Sequence, residues 1–164
     1  MRRHFDNGDT PLMIAAEKCF DTRVFKRLIA SGAEVNAIGS EWPQYSETRQ
    51  EVRSPLMILA GRGGKETIDI AQVLVQAGAN VDLANDVSIG QTPLILSVKS
   101  LADGYGEIDM LDFLISRGAN VNARDSSGNT PIRLARSGKL ATYPLRRSEY
   151  VALIERLKRA GAKD

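Results

Sequence analysis

Apolar residues recur along the chain at helical spacing in paired segments, and a short polar stretch follows each pair. In the first pair the apolar positions are Leu12, Ile14, Ala15 and Ala16, then Val24, Phe25, Leu28 and Ile29. Residues three and four apart share one face of a helix, so both segments are predicted to be amphipathic helices. The pattern predicts eight helices, over residues 10–16, 21–30, 55–61, 67–76, 93–101, 107–116, 131–137 and 148–160.

Two short phrases mark the beginning and the end of each pair. The opening phrase, Thr-Pro-Leu or a close variant, begins at Thr10, Ser54, Thr92 and Thr130, with spacings of 44, 38 and 38 residues. Thr or Ser before Pro predicts a helix start. The hydroxyl accepts a hydrogen bond from a backbone N–H that would otherwise lack a partner, and the φ of Pro is fixed near its helical value. The closing phrase is GAEVN, GANVD, GANVN or GAKD, starting at Gly32, Gly78, Gly118 and Gly161. Gly predicts a helix end in the left-handed conformation, followed by a hairpin.

A repeated unit of helix, loop, helix and hairpin with these phrases resembles the ankyrin repeat. The closest copy of the family signature is RDSSGNTPIRLA, from Arg124 to Ala135, and MIAA at Met13 keeps the helix signature in the first unit. The resemblance covers essentially all 164 residues. It implies an all-α fold, an α-solenoid of four stacked helix-loop-helix units with β-hairpin fingers. The single domain, residues 1–164, then divides into repeats at approximately 4–36, 48–82, 86–122 and 124–164.

The chain departs from the family pattern at the position after Thr-Pro-Leu and in its first finger. The family has a histidine at that position, where this chain has Met13, Met57, Ile95 and Arg133. We therefore expect packing to join the repeats there. The first finger comprises residues 38–53. It makes the distance from the closing phrase to the next opening phrase about ten residues longer than the corresponding distance from Gly118 to Thr130.

The enlarged finger contains the single tryptophan, Trp42, with Tyr45 close by. Trp and Tyr are frequent among residues that dominate binding energy. The family resemblance implies binding along the edge that the fingers form. We predict that Trp42 and Tyr45 anchor a protein partner, unless Trp42 packs back onto its own finger. Supporting contacts are predicted at the positions just before each opening phrase, which are Asp9, Arg53, Gln91 and Asn129.

Charge is segregated along the chain although the net charge is only +2. Residues 66–112 contain eight acidic side chains and one basic, a net charge of −7, whereas residues 133–164 carry +6. A segregated field steers partners of opposite charge, so we predict a partner with a basic surface facing repeats two and three. Asp103, Tyr105 and Glu107 are predicted contacts; a merely solvated acidic face is the alternative. Nucleic acid is not expected, because the acidic middle would repel phosphate.

The sequence offers little for catalysis or metal binding. His4 is the single histidine and has no partner at a recognisable spacing, and the stretch GRGGKET at residues 61–67 lacks the first glycine of a phosphate loop. A single cysteine, Cys19, excludes an internal disulfide framework and a cysteine metal cluster. We therefore expect a non-enzymatic protein without metal or cofactor. No apolar run approaches the ~18 residues of a membrane span.

These observations predict a binding module that holds or neutralises one cognate protein and is monomeric when free. Short ankyrin proteins with irregular loops resemble bacterial immunity proteins that block a toxin or effector enzyme, and this is the most specific hypothesis. An adaptor that joins several partners is the alternative. The expected compartment is the cytoplasm by default, or the periplasm if an N-terminal signal segment has been removed. The stretch that ends at Asn36 also resembles a site of asparaginyl hydroxylation, but a hairpin-turn cap is the favoured explanation of this residue.

Overall fold

A computed structural model of the chain describes residues 9–39, 53–62, 64–85, 90–138 and 147–163. This part of the chain contains eight α-helices and no β-strand. The helices are α1 (Pro11–Lys18), α2 (Thr22–Ala30), α3 (Pro55–Arg62), α4 (Lys65–Gln76), α5 (Pro93–Ala102), α6 (Ile108–Ser116), α7 (Pro131–Ser137) and α8 (Arg147–Arg159). Each predicted helix is present, with its ends within two residues of the predicted ones, so the all-α prediction is confirmed.

The opening phrase caps the inner helix of each pair, that is, the odd-numbered helices. The side-chain oxygens of Thr10, Ser54, Thr92 and Thr130 each accept the backbone N–H three residues later, at 3.3–3.4 Å. In the first two units the methionine after Thr-Pro-Leu or Ser-Pro-Leu completes the cap. The sulfur of Met13 accepts the N–H of Thr10 at 3.4 Å, and Met57 does the same for Ser54. Both methionines are fully buried, so they also pack as expected.

The closing glycines end the outer, even-numbered helices in the left-handed conformation. Gly32, Gly78, Gly118 and Gly161 have φ between 82° and 91°. The alanine after each glycine donates its N–H to a carbonyl five residues earlier, as Ala79 does to Leu74 at 2.9 Å. This pair of features defines the Schellman helix end, which satisfies carbonyls that would otherwise lack partners.

The helix pairs stack so that inner helices pack on inner helices and outer on outer. Contacts join α1 to α3, α3 to α5 and α5 to α7 in one row, and α2 to α4 and α4 to α6 in the other. The core lies between the rows. The second residue of each inner helix is completely or almost completely buried there; these residues are Leu12, Leu56, Leu94 and Ile132. One apolar position, repeated in register, therefore builds a continuous core.

The fingers form turns in the residues that the structure describes, where the closing phrase and the family resemblance led us to expect β-hairpins. In each of two fingers, a backbone hydrogen bond joins the two arms. Asn85 N donates to Gln91 O at 3.0 Å, and Asp125 N donates to Asn129 O at 3.1 Å. A ladder needs several successive bonds of this kind. The described arms share only one such bond each, and no strand forms in the described residues.

A second set of hydrogen bonds joins one closing phrase to the next. The side chain of Asn36 accepts the N–H of Asn80 at 2.8 Å and donates to the carbonyl of Gly78 at 2.9 Å. Asn122 makes the matching pair of bonds to Lys163 and Gly161 at 2.7 and 3.1 Å. Asp82 accepts the N–H of Asn120 at 2.8 Å. Position five of the closing phrase therefore links neighbouring repeats, a role beyond the turn cap expected for Asn36.

The sign of a Gly-to-Ala effect should depend on backbone conformation. We expect Gly118→Ala to lower the free energy of unfolding by about 1–2 kcal/mol, because an L-residue is strained in the left-handed region. A Cβ at Gly118 would meet nothing within 4 Å, so a clash cannot cause the loss. Gly61, inside α3, is the matched control: its Cβ would meet no atom closer than 3.9 Å, and Gly61→Ala should be neutral or stabilising. Thermal and urea unfolding measure both variants, and equal effects would contradict the assignment.

Candidate functional site

The predicted contact residues lie at two opposite edges of the stack. Each inner helix begins beside a finger and ends at the loop that leads to its outer helix. Because a helix rises 1.5 Å per residue, the ten residues of α5 separate Gln91 from Asp103 by about 15 Å. We call the positions just before the inner helices the finger edge. The loops after the inner helices, including residues 19–21 and 103–107, form the loop edge.

At the finger edge, two of the predicted contact residues stabilise the fingers themselves. Gln91 is only 6% exposed, and its N–H donates to the side chain of Asn85 at 2.7 Å. The side-chain amide of Asn129 donates to Asp125 at 3.2 Å. Asp9 and Arg53 are half-buried. A partner-binding role for these four residues stays a prediction.

The enlarged first finger is the other predicted element of the finger edge. Trp42 and Tyr45 lie outside the residues that the structure describes. Their role as anchors, and the alternative that Trp42 packs onto its own finger, both stay predictions.

At the loop edge, a Schellman helix end also terminates the inner helix α5 and fixes the backbone of Tyr105. Gly104 has φ 87° and donates to Leu101 O at 3.0 Å, while the N–H of Tyr105 donates to Ser100 O at 2.8 Å. Gly106 donates to the same carbonyl at 3.0 Å. It lies so close to α5 that a Cβ would stand 2.7 Å from the nitrogen of Leu101. Tyr105 is therefore held in one backbone conformation.

The side chain of Tyr105 nevertheless points away from the core. It is 76% exposed, the highest value among the large apolar side chains of the described residues. At the four outer-helix ends the corresponding residue is an alanine that packs against the core; these residues are Ala33, Ala79, Ala119 and Ala162. Because the same backbone motif elsewhere carries a core residue, the fold does not account for an exposed tyrosine here.

Tyr105 stands at a groove of about 430 Å³ between its own loop and α8. Leu101, Ile108 and Ala152 form the apolar part of the lining. The charged residues of the lining, in the part of the chain that the structure describes, are Glu107, Glu149 and Arg156. The volume falls within the range of about 300–1,000 Å³ that is typical of ligand pockets, so the groove is large enough for one or two inserted side chains.

The position of α8 explains why a groove forms at this repeat. With 13 residues against the nine of α6, α8 is longer by about one turn, or roughly 6 Å. It packs on α7 and α5, while its approach to α6 is less close than that between the preceding outer helices. The Nε of Arg156 donates to a carboxylate oxygen of Asp112 at 2.8 Å and joins α8 to α6. The groove is the space left beside this bridge.

Glu107 contributes a carboxylate that the described fold does not use. It occupies the N-cap of α6, where Ser, Thr, Asp or Asn would normally accept a backbone amide, but its side chain makes no capping hydrogen bond. Asp103 and Asp109, close by in the chain, are exposed. In contrast, the carboxylate of Asp21, at the N-cap of α2, accepts hydrogen bonds from the side chain and the backbone N–H of Arg23. These hydrogen bonds lower the pKa of the Asp21 carboxyl. Asp103, Tyr105 and Glu107 are thus brought together, as their sequence proximity implies.

An aromatic residue in the first loop was missed by the sequence analysis. Phe20 is 52% exposed, and the guanidinium carbon of Arg62 lies 4.7 Å from the centre of its ring. Arg62 also donates to the carbonyl of Ala16 at 2.7 Å. The location of Phe20 in a loop, rather than on a helix face, was the available signal. Glu149, Ala152 and Arg156 carried no such signal, because the groove depends on where α8 lies.

These features define a helical solenoid with binding surfaces at its edges, and comparison with known proteins identifies the class. Residues 12–125, well over half of the chain, match the family of ankyrin repeats in three copies. The chain belongs to the ankyrin repeat family. The helix pair α7 and α8 continues the stack beyond the matched residues.

Three relatives share this similarity over part of their length. The chain is 34% identical over 142 residues to the Neurogenic locus Notch protein of Drosophila melanogaster, covering 78% of the chain and 5% of that protein. It is 41% identical over 64 residues to human Rabankyrin-5, covering 39% of the chain and 5% of the relative. It is 32% identical over 78 residues to the ankyrin repeat protein FPV230 of fowlpox virus, covering 48% and 38%. The chain thus spans well under half of each relative.

Membership of the family establishes the general class of function. Ankyrin repeats are a non-enzymatic fold that binds protein partners, and the chain is a protein–protein interaction module. None of the described helices is both long and apolar enough to cross a bilayer. In the same residues, no cluster of three or more His, Cys, Asp or Glu side chains could hold a metal ion.

Substituting Gly106 should disturb the presentation of Tyr105. We expect Gly106→Ala to lower the free energy of unfolding by about 1–3 kcal/mol, because the added Cβ would overlap the backbone of α5. Backbone amide shifts of residues 100–108 should move with it. The control is Gly39→Ala, whose Cβ would meet no atom closer than 3.5 Å. An unchanged melting temperature, together with unchanged amide shifts around Tyr105, would show that the loop does not need glycine here.

Proposed function

We propose that the chain binds one cognate protein through its loop edge and keeps that protein inactive, as an immunity-type inhibitor of a toxin or effector enzyme does. The observation that carries the proposal is Tyr105, 76% exposed on a backbone held by a Schellman helix end. The proposal also includes the predicted finger contacts, with Trp42 and Tyr45 as anchors.

A fixed backbone favours tight binding to a single partner. Association costs free energy when loops and side chains become ordered, and a preformed loop avoids part of this cost. Tyrosine is common among the residues that contribute most to interfaces. Tyr105 combines both properties with an adjoining groove of about 430 Å³, into which a partner's side chain can insert.

The acidic side chains around the loop favour a partner with a basic surface. Asp103, Glu107 and Asp109 are all exposed, and complementary charge accelerates encounter and disfavours partners of the same sign. A basic segment that covers a catalytic cleft of the partner would be a suitable target. Occupation of that segment would then block access to the cleft.

An adaptor that holds two proteins at once is the second candidate. It is favoured by the separation of the two edges, which the ten residues of α5 place about 15 Å apart. Two partners could each use one edge. The inhibitor and the adaptor differ in whether the bound protein loses its activity and in how many proteins bind together.

Capture with matched variants tests the proposal. The immobilised chain is incubated with extract from its native source, beside Tyr105→Ala and Val151→Ala variants. Val151 is also an exposed apolar residue, at 43%, but does not line the groove. We expect one protein to bind the wild type and Val151→Ala equally, and Tyr105→Ala about 30-fold more weakly, since a hot-spot residue contributes about 2 kcal/mol. The activity of the captured protein should fall as free chain is added.

Three results would contradict parts of this proposal. Full activity of the captured protein at saturating chain would exclude inhibition. Simultaneous retention of two different proteins, one lost with Tyr105→Ala and one not, would establish the adaptor. Equal binding of all three baits would exclude the loop edge as the contact surface.

A further inference from the structure

In the first repeat, an arginine of this chain packs on an exposed aromatic ring at the loop edge. Phe20 lies in the loop between α1 and α2, and the guanidinium of Arg62, from the next repeat, lies over its ring at 4.7 Å. The same guanidinium donates to the carbonyl of Ala16 near the end of α1, at 2.7 Å. An arginine thus binds both the ring and a polar group beside it.

In the third repeat, the described residues place no arginine over the exposed ring of Tyr105. Arg62 stands eight residues after the opening Ser54, and the residue eight after the opening Thr130 is Gly138. A side chain at Gly138 is excluded, because its Cβ would lie 2.3 Å from the Cβ of Ala102. The fourth repeat therefore cannot supply a guanidinium from this position. Tyr105 remains 76% exposed, against 52% for Phe20.

The surroundings of Tyr105 favour a cation. Glu107 lines the groove two residues from Tyr105, and Glu149 lines the opposite wall on α8. Among the described residues of the lining, the basic one is Arg156, which is bonded to Asp112 at 2.8 Å. The carboxylate of Glu107 is exposed and makes no capping hydrogen bond, so it is available to attract a cation that enters the groove.

We propose that the groove binds the guanidinium group of an arginine side chain from the partner protein, stacked on the ring of Tyr105 and paired with the carboxylate of Glu107. This inference rests on the proposed function, because it specifies what the partner inserts. The apolar residues Leu101, Ile108 and Ala152 contact the aliphatic part of the arginine. The inserted guanidinium then stacks on the ring of Tyr105, as the guanidinium of Arg62 lies over that of Phe20.

Arginine is favoured over lysine for reasons of geometry and hydration. Its guanidinium is planar and weakly hydrated, so it can stack on an aromatic face and donate two parallel hydrogen bonds to a carboxylate at the same time. The ammonium of lysine is a compact, strongly hydrated charge and makes these contacts less well. Discrimination between the two is therefore a specific property of the proposed site.

A titration with short peptides tests the site directly. The probes are the blocked tripeptides Gly-Arg-Gly and Gly-Lys-Gly, together with the uncharged citrulline analogue of the first. The readouts are the ring resonances of Tyr105 and the backbone amides of residues 103–108. We expect saturable shifts with the arginine peptide, binding about three- to five-fold weaker with lysine, and no response with citrulline.

Variants separate the contributions of the ring and the carboxylate. Tyr105→Phe should bind the arginine peptide like the wild type, whereas Tyr105→Leu, which keeps an apolar side chain without a ring, should bind about three- to five-fold more weakly. Glu107→Gln should weaken binding of the arginine peptide and reduce its dependence on salt. Val151→Ala is the control and should change nothing.

Equal binding of arginine and lysine peptides, or a Tyr105→Leu variant that binds like the wild type, would overturn the proposal. Its failure is distinguishable from failure of the proposed function. If a captured protein is inhibited in a Tyr105-dependent manner but the arginine peptide produces no shift, the arginine assignment is wrong and the inhibitor function stands. If the peptide binds as expected but no captured protein loses activity, the arginine site stands and the inhibitor function falls.

Discussion

The left-handed glycine at the helix end is the constraint on which the rest of this structure depends. At Gly32, Gly78, Gly118 and Gly161 it reverses the chain after each outer helix. The alanine that follows is then directed towards the core. The reversal also brings Asn36, Asp82 and Asn122 to the backbone of the next repeat, to which they bond. Stacking of the repeats follows from this local geometry, because each unit can bury its apolar face only against its neighbours.

The same backbone motif recurs at Gly104 with a different outcome. At this inner-helix end the residue after glycine is Tyr105, and its ring faces solvent. A structural motif thus holds an exposed aromatic residue in place. The groove beside it arises because α8 approaches α6 less closely than the earlier outer helices approach one another. Arg156 and Asp112 bridge the remaining gap at 2.8 Å, which connects the candidate site to the end of the array.

The helices could be predicted from the sequence because their signals are local. Thr10 and Pro11 define a start through bonds made within one turn, and Gly32 defines an end in the same way. The β-hairpin fingers were predicted from the closing phrase and from the family resemblance, and the described arms instead share one bond each, as between Asn85 and Gln91. Strand formation depends on how many such bonds follow in succession, which the short phrase does not determine.

The candidate site was predictable only in part. Exposed charge and an aromatic residue within five positions of one another indicated Asp103, Tyr105 and Glu107. The opposite wall, with Glu149 and Arg156, lies more than 40 residues further along the chain. Its location depends on the packing of α8 on α5 and α7, a tertiary property that no local pattern encodes. Phe20 and Arg62 likewise come from different repeats, so their contact was not apparent from either loop alone.

We infer that the helix-end motif of the repeat presents Tyr105 as a binding residue at the loop edge. Hydrogen–deuterium exchange of the chain, free and bound to its captured partner, tests it most directly. We expect binding to slow exchange in residues 103–108 and in the first turns of α8, around 147–156. Slower exchange confined to residues 38–53 and the other fingers, with the 103–108 loop unchanged, would contradict it.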